Sequence, residues 1–372
     1  MNANSFPNTS KVNTNQVVIF LVLTFSLSWG LDLMVFLNGG LTNQSIVTAL
    51  QMQMAIPATV AIFLGLFVFR VSPIHLSHYE GRPRLFFLFY LAFSLIFLGL
   101  TGAGMYLKTQ TGLISMLSTA WLLVGLTVLV AMRLISGKEA FQRAGLSGGR
   151  FSQWLIYGMG VVLFYGLATA LNMAFGLGKA VDIQTMLKSS PATATMPAIV
   201  IILVSAVQTI LVGPLVGLLL GFGEEFGWRG FLQGQLVRLG KKRGILLVGL
   251  IWSAWHYPVI LMGYNYPGHP IAGLLMMTVY TTLLAFVLGY AMLKTGSIWL
   301  AAFLHGLINQ TMAYIMIFIY LPADPLWSFN AGVYSIPLLL LVVLLLLRDP
   351  VWKDVRQAEN ESQPTLQPQS AA

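Results

Sequence analysis

The 372-residue sequence contains no cysteine, which excludes disulfides, thiolate nucleophiles and cysteine-bound metals. Charge is nearly as scarce. Asp, Glu, Lys and Arg make up 8% of the chain, against about 25% in a soluble domain, too little to clothe a water-soluble fold. Acids are the scarcest, 11 against 20 Lys and Arg, while 57% of the residues are hydrophobic and the mean hydropathy is +0.80. The main solvent is therefore a bilayer. With no water in its core, backbone N–H and C=O groups must be satisfied inside helices or a closed barrel. The apolar runs are continuous rather than alternating, which selects helices. The basic start of a cleaved signal peptide is missing too: Met1 to Gln16 holds one cation, Lys11, so the first apolar run is expected to remain as an anchor.

About 20 apolar residues span a bilayer. On that measure the fold class is all-α, a polytopic transmembrane bundle of about ten helices, expected near 17–37, 46–69, 85–106, 113–133, 152–177, 198–222, 245–262, 271–293, 298–320 and 330–347. With the N-terminus in the cytoplasm and sides alternating, the inside holds 17 of the 20 cations and the outside only Lys108, Lys179 and Lys188. Arg229 is counted among the inside cations, and so is Arg356. That asymmetry supports both the helix count and two cytoplasmic termini. It also accounts for the net charge of +9 without nucleic acid, as topogenic charge beside anionic headgroups. The expected organisation is a cytoplasmic segment at 1–16, N-terminal transmembrane helices at 17–190, a catalytic helical core at 191–325, a last transmembrane helix at 326–347 and a cytoplasmic tail at 348–372, with 359–372 polar and disordered.

An ionisable group inside a membrane helix is costly and marks a functional site by default. Eight of the 11 acids fall in expected loops or the tail, leaving Asp32, Glu224 and Glu225 in apolar surroundings. His75, His78 and His269 fall in loops; His256 and His305 do not. In Gly223-Glu224-Glu225-Phe226-Gly227-Trp228-Arg229, Glu225 and Arg229 are four apart and can pair on a helix, whereas Glu224 points about 100° away. Glu225 and Arg229 read as a structural ion pair that leaves Glu224 free to act as a base. If this helix runs on to Leu236, Glu224 lies at the depth His256 reaches on the next helix; if it ends at Phe222, the match fails. His305 and Asn309 share a helical face and could aim donors at one point, which suits an oxyanion site. The bland readings are a polar contact between helices for His305 and Asn309, hydrogen-bonded filler for His256, and a structural residue near the end of its helix for Asp32. Gly213, Gly217 and Gly221 read as helix packing.

Together, Glu224-Glu225…Arg229, Trp252…His256 and His305…Asn309 resemble the CAAX-protease and bacteriocin-processing family of intramembrane proteases, over about a third of the chain. Its pattern is Glu-Glu-x-x-x-Arg on one helix, an aromatic-x-x-x-His on the next, and His-x-x-x-Asn two helices later. Trp252 stands where the family often has Phe. The resemblance implies peptide-bond hydrolysis without an acyl-enzyme: Glu224, helped by His256, activates a water, His305 and Asn309 stabilise the oxyanion, and Glu225, Arg229 and Trp252 support the site. No cofactor is favoured, since a His-Glu-x-x-His helix is missing; were a divalent metal such as zinc present, Glu224, His256 and His305 would be its ligands. The implied partners are a peptide or membrane-protein substrate and the lipid bilayer, in a prokaryotic plasma membrane with the site open to the cytoplasm. Two other classes compete. A non-catalytic scaffold, immunity or regulatory protein would keep the fold. A proton-coupled transporter would spread polar groups over several helices and show repeated halves.

Overall fold

The computed structural model describes residues 11–43, 45–77, 81–107, 111–188 and 195–353. Most of the expected N-terminal segment, His78, Glu80, Lys108, Asp354, Arg356 and the expected disordered tail lie outside the described residues. In chain order the helices are α1 (Thr14–Leu37), α2 (Ile46–Phe63, prolonged by a π-helical turn over Leu64–Val68), α3 (Arg84–Tyr106), α4 (Thr111–Ser136), the short α5 (Lys138–Arg143) and α6 (Phe151–Ala174). β1 (Gly178–Ala180) and α7 (Ile183–Lys188) lead into a segmented passage. It comprises α8 (Ala198–Ala206), a π-helical stretch over Val207–Val212, α9 (Gly213–Val216), α10 (Leu218–Glu225), a second π-helical stretch over Phe226–Leu232 and α11 (Gln233–Leu236). Then come α12 (Lys241–Trp255), α13 (Tyr257–Leu261), α14 (Pro270–Thr295), α15 (Ile298–Phe318), β2 (Tyr320–Pro322) and α16 (Ser335–Leu346).

Long-range hydrogen bonds sort the connections onto two faces. On one, Arg238 donates to the Lys11 carbonyl (3.0 Å), Arg82 to that of Ile135 (3.2 Å), Ser297 Oγ to that of Ser147 (2.9 Å) and Lys241 Nζ to that of Val351 (2.8 Å). On the other, β1 pairs antiparallel with β2, the Tyr266 hydroxyl donates to the Ala331 carbonyl (2.7 Å), and His269 meets Asp324 (3.0 Å). Between these faces the chain passes back and forth in helices. Eight helices among the described residues are long and apolar enough to cross a membrane. The α12–α13 pair and the twelve-residue α16 supply two shorter passages.

Four expectations need correction. The sixth helix does not stop at Phe222: helical structure breaks at Gly217, resumes at Leu218 and runs past both glutamates to Leu236. The last helix begins at Ser335 rather than 330, because the preceding segment is tied down: Phe329 N donates to Asn172 Oδ1 (2.9 Å). The strand pair at 178–180 and 320–322, too short to leave a periodic signal, was not expected. Arg229 is not a loop cation; it is 1% exposed, in the centre of the bundle.

What fixes that centre is close approach at glycines of the segment that carries the glutamates. A Cβ at Gly221 would lie 2.4 Å from the Ala302 carbonyl oxygen of α15, and one at Gly223 2.5 Å from that of Met54 on α2. Gly227 accommodates Pro57, the proline inside α2; a Cβ there would be 2.4 Å from Pro57 Cβ and 2.7 Å from its carbonyl carbon. Of the expected packing glycines, Gly221 and Gly213 meet α15, while Gly217 marks the break. Overpacking costs about 1–3 kcal/mol. Gly227→Ala is accordingly expected to lower the melting temperature in detergent by several degrees. Gly30→Ala on α1, where a Cβ meets nothing within 4 Å, should leave it unchanged.

Candidate active site

Glu224 and Glu225 end α10 and face different partners. Glu225 is wholly buried, and its Oε1 accepts from Arg229 Nη1 at 3.0 Å and from His305 Nδ1 at 2.7 Å. With Arg229 on the same oxygen the carboxylate is ionised and only accepts, so Nδ1 is the protonated nitrogen of His305. Ring Nε2 then faces Glu224 Oε1 at 3.7 Å, too long for a direct hydrogen bond and within reach of one water touching both. The second oxygen of Glu224, Oε2, accepts from the indole Nε1–H of Trp252 at 2.8 Å. Glu224 is 3% exposed and His305 5%.

Trp252 is the hub. Its ring lies under the Arg229 guanidinium, with Cζ 4.3 Å from the centroid, a cation–π arrangement. The rings of His256 and His305 each approach it at 5.6 Å between centroids. The local backbone explains how His256 joins. Pro258 lacks the N–H that would donate to the Ala254 carbonyl, and the helix is interrupted just before it: α12 stops at Trp255 and α13 starts at Tyr257. In the tightened last turn, His256 N donates to the Ser253 carbonyl at 3.0 Å. The Trp252 carbonyl instead takes His256 Nδ1 at 2.9 Å. Because a carbonyl only accepts, Nδ1 carries the proton and Nε2 is left as an acceptor in the neutral ring.

α1 braces this corner from outside the motifs. Ser28 Oγ accepts from Trp255 Nε1 (2.7 Å), and Trp29 Nε1 donates to the Trp255 carbonyl (3.3 Å). Asp32, one turn beyond Ser28, is buried and accepts from Gln53 Nε2 at 2.9 Å, joining α1 to α2. The sequence gives no cue to the α1 contacts, because Ser and Trp in an apolar helix have no fixed partner.

The structure thus brings together Glu224, Glu225, Arg229, Trp252 and His305, with His256 joined through Trp252. Asn309 stands apart: it is exposed, one turn along α15 from His305, and among the described residues no hydrogen bond joins it to the cluster. Nor do the conceivable metal ligands converge. Among the described residues no group of three His, Cys, Asp or Glu side chains is placed to hold a metal ion.

The Trp252 donor can be tested without disturbing the aromatic contact. Trp252→Phe keeps a ring beneath Arg229 and removes the N–H that fixes Glu224. A hydrogen bond to a charged group contributes about 1.5–3 kcal/mol, so turnover is expected to fall roughly tenfold to a hundredfold with little change in melting. Unchanged steady-state rates would reduce the indole N–H to a packing role.

No curated protein and no solved structure matches the chain. Residues 206–311 match the family model described as Type II CAAX prenyl endopeptidase Rce1-like. That stretch begins at the end of α8 and reaches Thr311 on α15, leaving α1–α6 outside. It holds every member of the cluster around Trp252 as well as Asn309, so the similarity to that family falls on the candidate site of the membrane-embedded chain.

Proposed function

We propose that the protein is an intramembrane endopeptidase whose attacking water is activated by Glu224. The observation that carries this reading is the fixed carboxylate: one oxygen is held by Trp252, and the other faces His305 Nε2 across 3.7 Å. Charge balance supports it. With His305 protonated on both nitrogens, two carboxylates face two cations and the buried cluster is neutral, which low dielectric demands. Glu224 then removes a proton from water as its oxygen bonds to the peptide carbonyl carbon. The C–N bond breaks, and the proton on Glu224 passes to the leaving amine. His305 Nε2–H and the amide of Asn309, on the exposed side of α15, serve the developing oxyanion, and the acceptor Nε2 of His256 helps orient the water. The matched family is described by a prenyl substrate. What this reading carries over is hydrolysis of a peptide at the membrane, with the face of basic loops as the cytoplasmic side of a plasma membrane.

The test compares purified wild type with Glu224→Gln on a library of membrane peptides that includes C-terminal tails, read by mass spectrometry with and without a chelator. Cleavage by wild type alone, insensitive to chelator, is the expected result. Loss of cleavage with chelator would overturn the metal-independent mechanism. Identical profiles for the two proteins would return the chain to the scaffold reading.

A further inference from the structure

A second charged concavity, independent of the proteolytic reading, lies on the face where the basic loops gather. It is a cavity of about 610 Å³ formed where the turn into α12 meets the chain leaving α16. Lys242 and Arg243 line it from one side, Arg348 and Lys353 from the other, and Trp352 forms a buried wall. Topogenic charge accounts for cations in these two loops; it does not account for their convergence. Lys241 produces that. Its Nζ donates to the carbonyls of Val351 (2.8 Å) and Lys353 (2.7 Å) and so staples the segment after α16 to the start of α12.

The lining contains a single acid, Asp349, and both its oxygens are committed. Oδ2 accepts from Lys294 Nζ (2.7 Å) and the Tyr290 hydroxyl (3.0 Å), and Oδ1 from Val351 N (2.8 Å). The Lys294 ammonium, helped by the Val351 N–H, holds the Asp349 carboxyl below the usual carboxylate range. Asp349 is therefore ionised and engaged elsewhere. Lys242, Arg243 and Arg348 are exposed, and among the described residues no carboxylate pairs with them. Three cations in the first turn of α12, with no acid there, also stand at the wrong end of the helix dipole, a placement an anion would offset. Leu239 and Leu347 add apolar surface at the rim, beside helices that enter the membrane.

We propose that this cavity binds a phosphate group, carried by an anionic phospholipid headgroup or by a soluble phosphate, with Arg243 and Arg348 as its principal donors and Lys242 alongside. Guanidinium groups match phosphate oxygens in a fixed fork. The leucine rim at the membrane boundary favours the lipid.

Native mass spectrometry of the full chain tests this by titrating phosphatidylglycerol, phosphatidylcholine and inorganic phosphate into delipidated protein. One equivalent of phosphatidylglycerol is expected to bind ahead of phosphatidylcholine. Arg243→Ala and Arg348→Ala should each weaken it about tenfold. Lys138→Ala, which removes an exposed cation outside the cavity, should not. Melting temperatures of all variants establish that they are folded, and Lys242→Ala serves if either arginine variant is not. Inorganic phosphate bound with the same dependence on both arginines would keep the site and assign it to a solute. Equal weakening by Lys138→Ala, indifference to the cavity variants, or no binding of either phosphate source would overturn the proposal.

Discussion

Glu224→Gln is expected to lower the rate of peptide cleavage by about 10²–10⁴-fold, the usual contribution of a positioned general base. Its melting temperature in the same detergent should stay close to that of wild type. The substitution is nearly isosteric, and the glutamine carbonyl can still accept from Trp252 Nε1, which lies 2.8 Å from the present Oε2. The charge that could take a proton from water is lost, and the NH2 group now faces His305. Arg229 and Glu225 keep their 3.0 Å ion pair, so the principal structural interaction is untouched. Initial rates and thermal melts on one preparation separate the roles. A large fall in stability would make Glu224 structural. A wild-type rate would remove it from the mechanism.

The sequence announces the charged side of this site and conceals the neutral side, for physical reasons. Glu224, Glu225, His256 and His305 stand out because polar groups are costly in lipid, so each asks for an explanation on sight. The i, i+4 spacing of Glu225 and Arg229 predicts their pairing, and the structure has it at 3.0 Å. The same rule places His305 and Asn309 on one face, yet His305 turns into the bundle and Asn309 is exposed, because spacing sets an angular relation and not what packs over each turn. Trp252 is visible only as an aromatic at the right position. That its N–H reaches Glu224 depends on rotamer and on the approach of two helices far apart in sequence. The packing reading of Gly213, Gly217 and Gly221 did not extend to Gly223 and Gly227, which seat Met54 and Pro57 of α2. The helical membrane class was the most legible feature, since long apolar runs are recorded segment by segment. Arg229, counted from the sequence as a loop cation, is buried in the site.

Arg229→Ala is expected to destabilise the protein by about 3–5 kcal/mol, the cost of stranding one partner of a buried ion pair. Both side chains are shut away from solvent, so water cannot take the place of the guanidinium. Arg229 also covers the Trp252 ring, so truncation removes a cation–π contact from the residue that holds Glu224. His305 Nδ1, 2.7 Å from the same Glu225 oxygen, can compensate only in part, and in doing so would shift the imidazole away from Glu224. Two variants identify the cause. Arg229→Lys keeps the charge but not the planar fork, and should fall between wild type and alanine. Adding Glu225→Gln to Arg229→Ala removes the stranded charge and should recover much of the lost stability, a coupling measurable by denaturing wild type, Arg229→Ala, Glu225→Gln and the double variant under one condition. If Arg229→Ala instead melts like wild type and is inactive, the ion pair does not hold the fold, and Arg229 works on the chemistry through Trp252 and the two glutamates.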